Sequence, residues 1–162
     1  MNDFTTKQLF TIALLRILIG WHLLYEGLVK FISPNWSSYG FLNSSKWIFS
    51  SFFRTIAASE PLLKVTDIVN IWGLLLIGLL LILGIFQRTV AFMGSLLLFL
   101  YYIAMPPLVG IDYSIPMEGS YMIVNKTLIE AAALLVVGML STSNSLNLRL
   151  SLQKIRTRLK NT

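Results

Sequence analysis

The sequence lacks cysteine and contains few charged residues. The absence of cysteine excludes disulfide bonds, thiolate metal ligands and an internal dithiol redox couple. Charged residues make up only 12% of the chain and hydrophobic residues make up 56%, whereas a soluble domain carries about 25% charged residues. A water-soluble fold of 162 residues could not cover so much apolar surface. We therefore expect an integral membrane protein, whose excess apolar surface contacts the lipid bilayer.

The chain also lacks the short motifs that mark common catalytic and cofactor sites. It contains no G-x-G-x-x-G, P-loop, H-E-x-x-H or nucleophile-elbow sequence. Its single histidine, His22, has no second histidine or cysteine to complete a metal site. We expect no resident metal, haem, flavin or iron–sulfur cluster. Electrons for any redox reaction would then come from a partner protein or directly from substrate.

Four apolar runs approach the roughly 20 residues that an α-helix needs to cross the hydrocarbon core. Inside lipid the backbone must satisfy its own hydrogen bonds, so each run is expected to be helical. The sequence predicts one all-α domain over residues 1–162, an integral membrane four-helix bundle, with a tight turn at residues 87–89. The predicted spans are residues 9–32, 68–86, 90–105 and 121–140.

The segment between the first two spans, residues 33–66, mixes aromatic and polar side chains. This composition is typical of the membrane interface, where amphipathic rings lie among the lipid headgroups. It predicts an interfacial loop with short helices and no fifth span. Its aromatic residues are Trp36, Tyr39, Phe41, Trp47, Phe49, Phe52 and Phe53.

The positions of lysine and arginine predict the orientation of the chain. An even number of spans leaves both termini on one side. Basic residues in the tail and at Arg88 assign that side to the cytoplasm, and residues 106–120 have no lysine or arginine. Although the net charge is +6, a basic tail after an apolar span indicates contact with anionic lipid and no nucleic acid. The basic tail residues are Arg149, Lys154, Arg156, Arg158 and Lys160.

The first predicted span carries four ionisable residues on one side. Arg16, His22, Glu26 and Lys30 fall within an arc of about 120° when plotted at 100° per residue. Each buried charge costs a few kcal/mol in a membrane, so such a cluster indicates a functional site. A purely architectural role, in which the charges fix which helices meet, stays open as an alternative.

The fourth predicted span supplies groups of matching depth. In the predicted topology, Lys126 lies at the level of Glu26, and Glu130 lies at the level of His22. We therefore expect the first and fourth spans to pack together through these two opposite-charge pairs. Arg16 has no acid at its depth, and it would reach the headgroups or bind an anionic group of a ligand.

Several segments resemble the DoxX/DoxD family of membrane proteins. RILIGWHLLYEGLVKF at residues 16–31 resembles the family's first helix, and SPNWSSYGFLNSS resembles the DoxD-type loop that follows. The segments IWGLLLIGLLLILGIFQR, YYIAMPP and EGSYMIVNKTLIE fit as well. The resemblance covers nearly the whole chain and implies a four-helix membrane protein. DoxD is the small subunit of a thiosulfate:quinone oxidoreductase, and DoxX relatives are linked to membrane oxidoreductase complexes.

We expect a membrane subunit of a quinone-linked oxidoreductase complex, located in the bacterial inner membrane. Quinone or a small substrate would bind at the charged cluster between the first and fourth spans. The expected proton-transferring, catalytic residues are His22, Glu26 and Glu130. The expected substrate-binding residues are Arg16, Lys30, Asn125, Lys126 and Tyr121.

Other functions stay open at this point. The chain could be a non-enzymatic membrane scaffold or assembly factor, whose aromatic loop would hold a partner protein. It could also be a small-molecule transporter, although four helices without a repeat make this less favourable for a monomer. Besides lipid, the expected partners are an oxidoreductase subunit or a second copy of the chain.

Overall fold

The computed structural model describes residues 5–111, 113 and 122–140. Helices are the regular secondary structure of this part of the chain. Tyr121 and the basic tail lie outside the described residues, so the expectations for them are not addressed. The helices are α1 (Thr6–Ile32), α2 (Tyr39–Asn43), α3 (Ser50–Ala58), α4 (Glu60–Leu83), α5 (Gln87–Ala104) and α6 (Lys126–Leu140).

Three of these helices are long and apolar enough to cross a membrane, namely α1, α4 and α5. The prediction of an all-helical integral membrane protein is therefore confirmed. Helix α6, which corresponds to the fourth predicted span, has 15 residues and extends to the edge of the described part. A fourth span and the orientation of the termini stay predictions. We call the end where α1 and α5 finish the upper end of the bundle, and the opposite end the lower end.

The ends of three helices differ from the prediction because of local capping. Helix α4 begins at Glu60, not at residue 68, with Pro61 in its first turn. It ends at Leu83 and is capped by Gly84, whose φ of 70° is the left-handed conformation that terminates helices. The turn therefore lies at residues 84–86, and the predicted turn at 87–89 is wrong, because α5 already begins at Gln87.

Helix α6 also begins later than predicted. The side chain of Asn125 accepts a hydrogen bond from the backbone N–H of Leu128 at 3.0 Å. This N-cap sets the first helical residue at Lys126, so residues 122–125 of the predicted span precede the helix. The side-chain oxygen of Asn125 is therefore already engaged in capping α6.

Glycine allows α1 and α4 to pack with their backbones in contact. A Cβ added to Gly78 would lie 2.5 Å from the backbone nitrogen of Leu24 and 2.7 Å from the carbonyl oxygen of Gly20. A Cβ on Gly27 would lie 2.9 Å from the backbone nitrogen of Leu75. Such close approach is how helices associate in lipid, where the hydrophobic effect between them is absent.

The remaining helices complete a bundle of two pairs. Helix α5 packs on α6, with the Ser95 hydroxyl donating to the carbonyl of Ala131 at 2.8 Å. Fully buried side chains from all four long helices form the core between the pairs. The main neighbour of α1 is α4, and its contact with α6 is limited. The first and fourth predicted spans are therefore in contact, as expected, over a small area. The largest fully buried core side chains are Leu23, Leu74, Leu81, Leu134 and Val137, and α5 contributes the fully buried Ala91.

The predicted short helices of the aromatic loop are present as α2 and α3. They cover the upper end of α5, where Leu42 and Phe53 pack on Met105. The hydroxyl of Ser45 donates to the carbonyl of Ala104 at 2.7 Å, which is one of the last carbonyls of α5. The loop therefore closes the upper end of the bundle.

The glycine contact generates a test of the fold. We expect Gly78→Ala to lower the free energy of unfolding by about 1–3 kcal/mol, because a Cβ there meets backbone that cannot move aside. Gly73→Ala on the same helix is the matched control, since a Cβ at Gly73 meets nothing within 4 Å. Unfolding by SDS in detergent micelles measures both. Equal stability of the two variants would contradict the close packing of α1 on α4.

Candidate functional site

The four ionisable side chains predicted to share one side of α1 reach different neighbours and do not form one cluster. Arg16 lies at the lower end, His22 lies in the middle, and Lys30 lies at the upper end of the helix. With about 1.5 Å of rise per residue, Arg16 and Lys30 are about 20 Å apart along the axis. The prediction of a single charged site is therefore replaced by three separate environments.

The lower environment contains Arg16, which is 5% exposed. Its Nη1 donates to Oε1 of Gln87 at 3.4 Å, and its Nε has no hydrogen-bond partner among the described residues. The guanidinium lies against Gly84, where an added Cβ would clash with Nη1. Arg16 thus lies at the carboxyl end of α4, where the negative end of the helix dipole favours a cation.

The middle environment is the pair of His22 and Glu130. Nδ1 of His22 lies 2.9 Å from Oε1 and 3.1 Å from Oε2 of Glu130, so the pair joins α1 to α6. This predicted pairing is confirmed, and the catalytic role of the two residues stays a prediction. The side chains are 35% and 23% exposed, so the pair lies at the edge of the bundle.

Glu26 lies between the middle and upper environments, and its side chain is 48% exposed. Its carboxylate is 3.8 Å from Nζ of Lys30, one turn along the same helix. The expected pair of Glu26 with Lys126, the first residue of α6, stays a prediction.

The upper environment is a hydrogen-bonded network around Lys30, whose side chain is 17% exposed. Nζ of Lys30 donates to Oδ1 of Asn70 at 3.3 Å, and Nδ2 of Asn70 donates to the hydroxyl of Tyr101 at 2.7 Å. The ammonium also lies 5.2 Å from the ring centre of Trp36 and 5.4 Å from that of Tyr101. Lys30 therefore points into the protein, where cation–π contacts stabilise it, and does not extend to the headgroups.

A cavity of about 340 Å³ opens beside this network. It lies where the upper ends of α1, α4 and α5 meet the beginning of α6. The volume is at the lower end of the range for small-molecule sites, which are mostly apolar with a few placed polar groups. Its lining residues are Lys30, Trp36, Ser37, Ser38, Phe41, Asn70, Tyr101, Met105, Asn125 and Thr127.

The loop after α1 covers the cavity and is fixed by Asp67. One carboxylate oxygen of Asp67 accepts from the backbone N–H of Ser38 at 2.8 Å and from its hydroxyl at 2.5 Å. The loop turns at Asn35, a non-glycine residue with a φ of 58°. These contacts position Trp36 over Lys30. Asp67 and Asn70 are three residues apart and share one face of α4. Asp67 holds the loop over the cavity, and Asn70 binds Lys30 beside it.

Sequence reasoning missed Tyr101 and Gln87. Tyr101 lies near the end of an apolar run, where tyrosine is common at the membrane interface, so it carried no specific signal. Tyr101 in the third predicted span lies at about the same membrane depth as Lys30 in the first. This shared depth is the signal that could have identified it. Gln87 was assigned to a turn and is instead the first residue of α5.

The expected substrate-binding residues divide accordingly. Lys30 and Asn125 line the cavity, whereas Arg16 is separated from it, and Lys126 is absent from its lining. Tyr121 lies outside the described residues. The described residues contain no group of three or more histidine, cysteine, aspartate or glutamate side chains that could hold a metal ion.

Most of the residues that line the cavity lie in a segment that matches a known protein family. Residues 11–106 match the model of the DoxX family, which is more than half of the chain. The chain belongs to the DoxX family. No curated protein and no solved structure matches it. The DoxX segment includes Lys30, Asn70 and Tyr101, and α6 lies beyond it. The membership agrees with an integral membrane protein of a family often associated with oxidoreductases.

The buried Arg16 generates a test of the lower environment. We expect Arg16→Met to keep or raise the stability, because it removes a buried cation and its unpaired Nε while keeping much of the volume. Gln87→Leu should lower the free energy of unfolding by about 1–3 kcal/mol, since the guanidinium then loses its acceptor. Both are measured by unfolding in micelles. A larger loss for Arg16→Met than for Gln87→Leu would contradict this account.

Proposed function

We propose that this DoxX-family protein is the membrane subunit of a quinone-linked oxidoreductase and that the upper cavity holds the quinone ring. The observation that supports this is a lysine ammonium placed inside the bundle beside an open cavity. Lys30 has three N–H donors; one is donated to Asn70 and the ammonium also forms the ion pair with Glu26, which leaves one donor for a ligand. A donor with spare capacity at such a place favours a ligand with an acceptor oxygen.

The geometry suits the carbonyl oxygens of a quinone. Negative charge develops on these oxygens as the ring is reduced, and a fixed cation stabilises that charge in a site of low dielectric. Because the Tyr101 hydroxyl accepts from Asn70, its own proton stays free to be donated. The rings of Trp36 and Phe41 line the cavity and can contact the faces of the quinone.

Reduction of a quinone to a quinol consumes two electrons and two protons. The protons can travel along α1, since Lys30, Glu26 and His22 follow one another at steps of one turn, about 6 Å each. Glu130 contacts Nδ1 of His22, so this series of proton-transferring residues continues from α1 to α6. We assign proton transfer to His22, Glu26 and Glu130, and the electrons to a partner subunit or to the substrate.

We also propose the placement of the chain in its membrane. Helix α6, continued beyond Leu140, forms a fourth span, so both termini lie in the cytoplasm as the positive-inside rule predicts. The upper cavity then lies toward the outer face of the bacterial inner membrane. An oxidoreductase partner would bind the loop that carries α2 and α3, since this loop covers the cavity from that side.

Quinone binding by single variants tests the proposal. We expect Lys30→Met to weaken the binding of a soluble quinone analogue by about tenfold or more, because one charge-assisted hydrogen bond is lost. Tyr101→Phe should weaken it less. The matched control is Lys64→Met, since Lys64 is 71% exposed and pairs with Glu60 on the surface of α4. The dissociation constant in lipid nanodiscs, from tryptophan quenching by quinone, is the measurement.

Equal affinity for the Lys30→Met and Lys64→Met proteins would contradict the proposal. A further contradiction would be the absence of quinone binding by the unaltered protein together with a loss of abundance on Lys30→Met. That pair of results would favour the scaffold function, in which the charges only hold the bundle together.

A further inference from the structure

The cavity is too small for the whole of a membrane quinone. Its volume of about 340 Å³ accommodates a substituted ring, but an isoprenoid chain must lie outside it. This requires an opening through which the chain leaves. The position of that opening decides whether the ligand reaches the site from water or from the bilayer.

Three of the helix junctions around the cavity are closed. Between α1 and α4, the backbone contact at Gly27 leaves no room for a side chain. Between α4 and α5, the hydrogen bond of Asn70 to Tyr101 spans the gap at 2.7 Å. Between α5 and α6, the hydroxyl of Tyr102 donates to the carbonyl of Ile123 at 2.7 Å. The upper side is covered by the loop that Asp67 holds.

The fourth junction, between α1 and α6, is different. Lys30 lines the cavity from α1, and Asn125 and Thr127 line it from the beginning of α6. Below the cavity the two helices are bridged by the long side chains of His22 and Glu130. Close backbone packing such as that between α1 and α4 is absent from this junction in the described part of the chain.

Glu26 lies at the level between that bridge and the cavity. On a helical projection, Glu26 and His22 fall on the flank of α1 that faces away from Gly20 and Gly27, and hence away from α4. The Glu26 side chain is 48% exposed, although it lies one turn from the largely buried Lys30. A carboxylate so exposed at this depth indicates that the described part of the chain does not cover the flank of α1 beside α6.

We propose that the cavity receives a lipid-soluble amphiphile directly from the bilayer, through the opening between α1 and α6 at Glu26. The ring lies beside Lys30, and the chain lies along the flank of α1 that carries Glu26 and Val29. The inference rests on the proposed quinone site and adds the route and the chain-binding surface. It also gives Glu26 a place next to the passing headgroup, where its ion pair with Lys30 limits the cost of the charge.

The natural absence of cysteine makes this testable by single introduced cysteines. Ser37→Cys reports on the cavity, and Glu26→Cys reports on the opening. Val29→Cys, three residues along the same flank and 45% exposed, keeps the carboxylate in case Glu26→Cys fails to fold. Leu76→Cys, 52% exposed on α4, is the lipid-facing control. Each is reacted in proteoliposomes with a small membrane-permeant maleimide.

Two quinones are compared as protecting ligands. Duroquinone has a methyl group at every ring position, so it does not add to thiols and has no chain. Decylubiquinone has the same type of ring with a decyl chain. We expect duroquinone to slow labelling at Ser37→Cys only. Decylubiquinone should slow labelling at Ser37→Cys, Glu26→Cys and Val29→Cys, by about ten times at ten times its Kd.

Each other outcome has a distinct meaning. Protection of Ser37→Cys by decylubiquinone without protection of Glu26→Cys and Val29→Cys would overturn the lateral route and leave the quinone site standing. Equal slowing at Leu76→Cys would show an effect of quinone dissolved in the bilayer and would also overturn the route. Failure of both quinones to protect Ser37→Cys would overturn the quinone site, and this inference with it.

Discussion

The close contact of α1 with α4 determines the direction of every polar side chain on α1. Gly27 lies against Leu75, and Gly78 lies against Gly20 and Leu24, at distances that admit no Cβ, so α1 cannot rotate without separating from α4. Lys30 is thereby directed into the bundle and Glu26 toward the flank next to α6. In lipid, where helix association depends on packing and internal hydrogen bonds, such a contact fixes the rest of the arrangement.

Each ionisable group of α1 within the bundle then has its own neighbour. The guanidinium of Arg16 lies at the end of α4, His22 meets Glu130, and Lys30 meets Asn70. Distributing the charges in this way gives each of them at least one polar neighbour in a medium that cannot solvate it. Spare donor capacity beside open space exists at the upper end, where Lys30 and Tyr101 face a cavity. The distribution therefore separates a candidate binding site from groups that hold the helices together.

The sequence was sufficient to predict the apolar helices and the pairing of His22 with Glu130. The pairing could be predicted because helical geometry places these two residues at the same depth in the membrane. The neighbours of Arg16 could not, because they depend on Gly84 ending α4 before Gln87. Likewise, the start of α6 at Lys126 depends on the cap at Asn125, a local hydrogen bond that hydropathy does not report. Tyr101 could be found only once the register of the third span against the first was known.

The most direct test of the proposed quinone site is to determine where a bound quinone lies in the protein. A ubiquinone analogue with an azide on its ring is photolysed on the protein in nanodiscs, and the modified residues are identified by mass spectrometry. The account predicts adducts on the lining of the upper cavity, at Trp36, Phe41 or Tyr101. Adducts at the lower end, around Arg16 and Gln87, or spread over the lipid-facing surface, would contradict it.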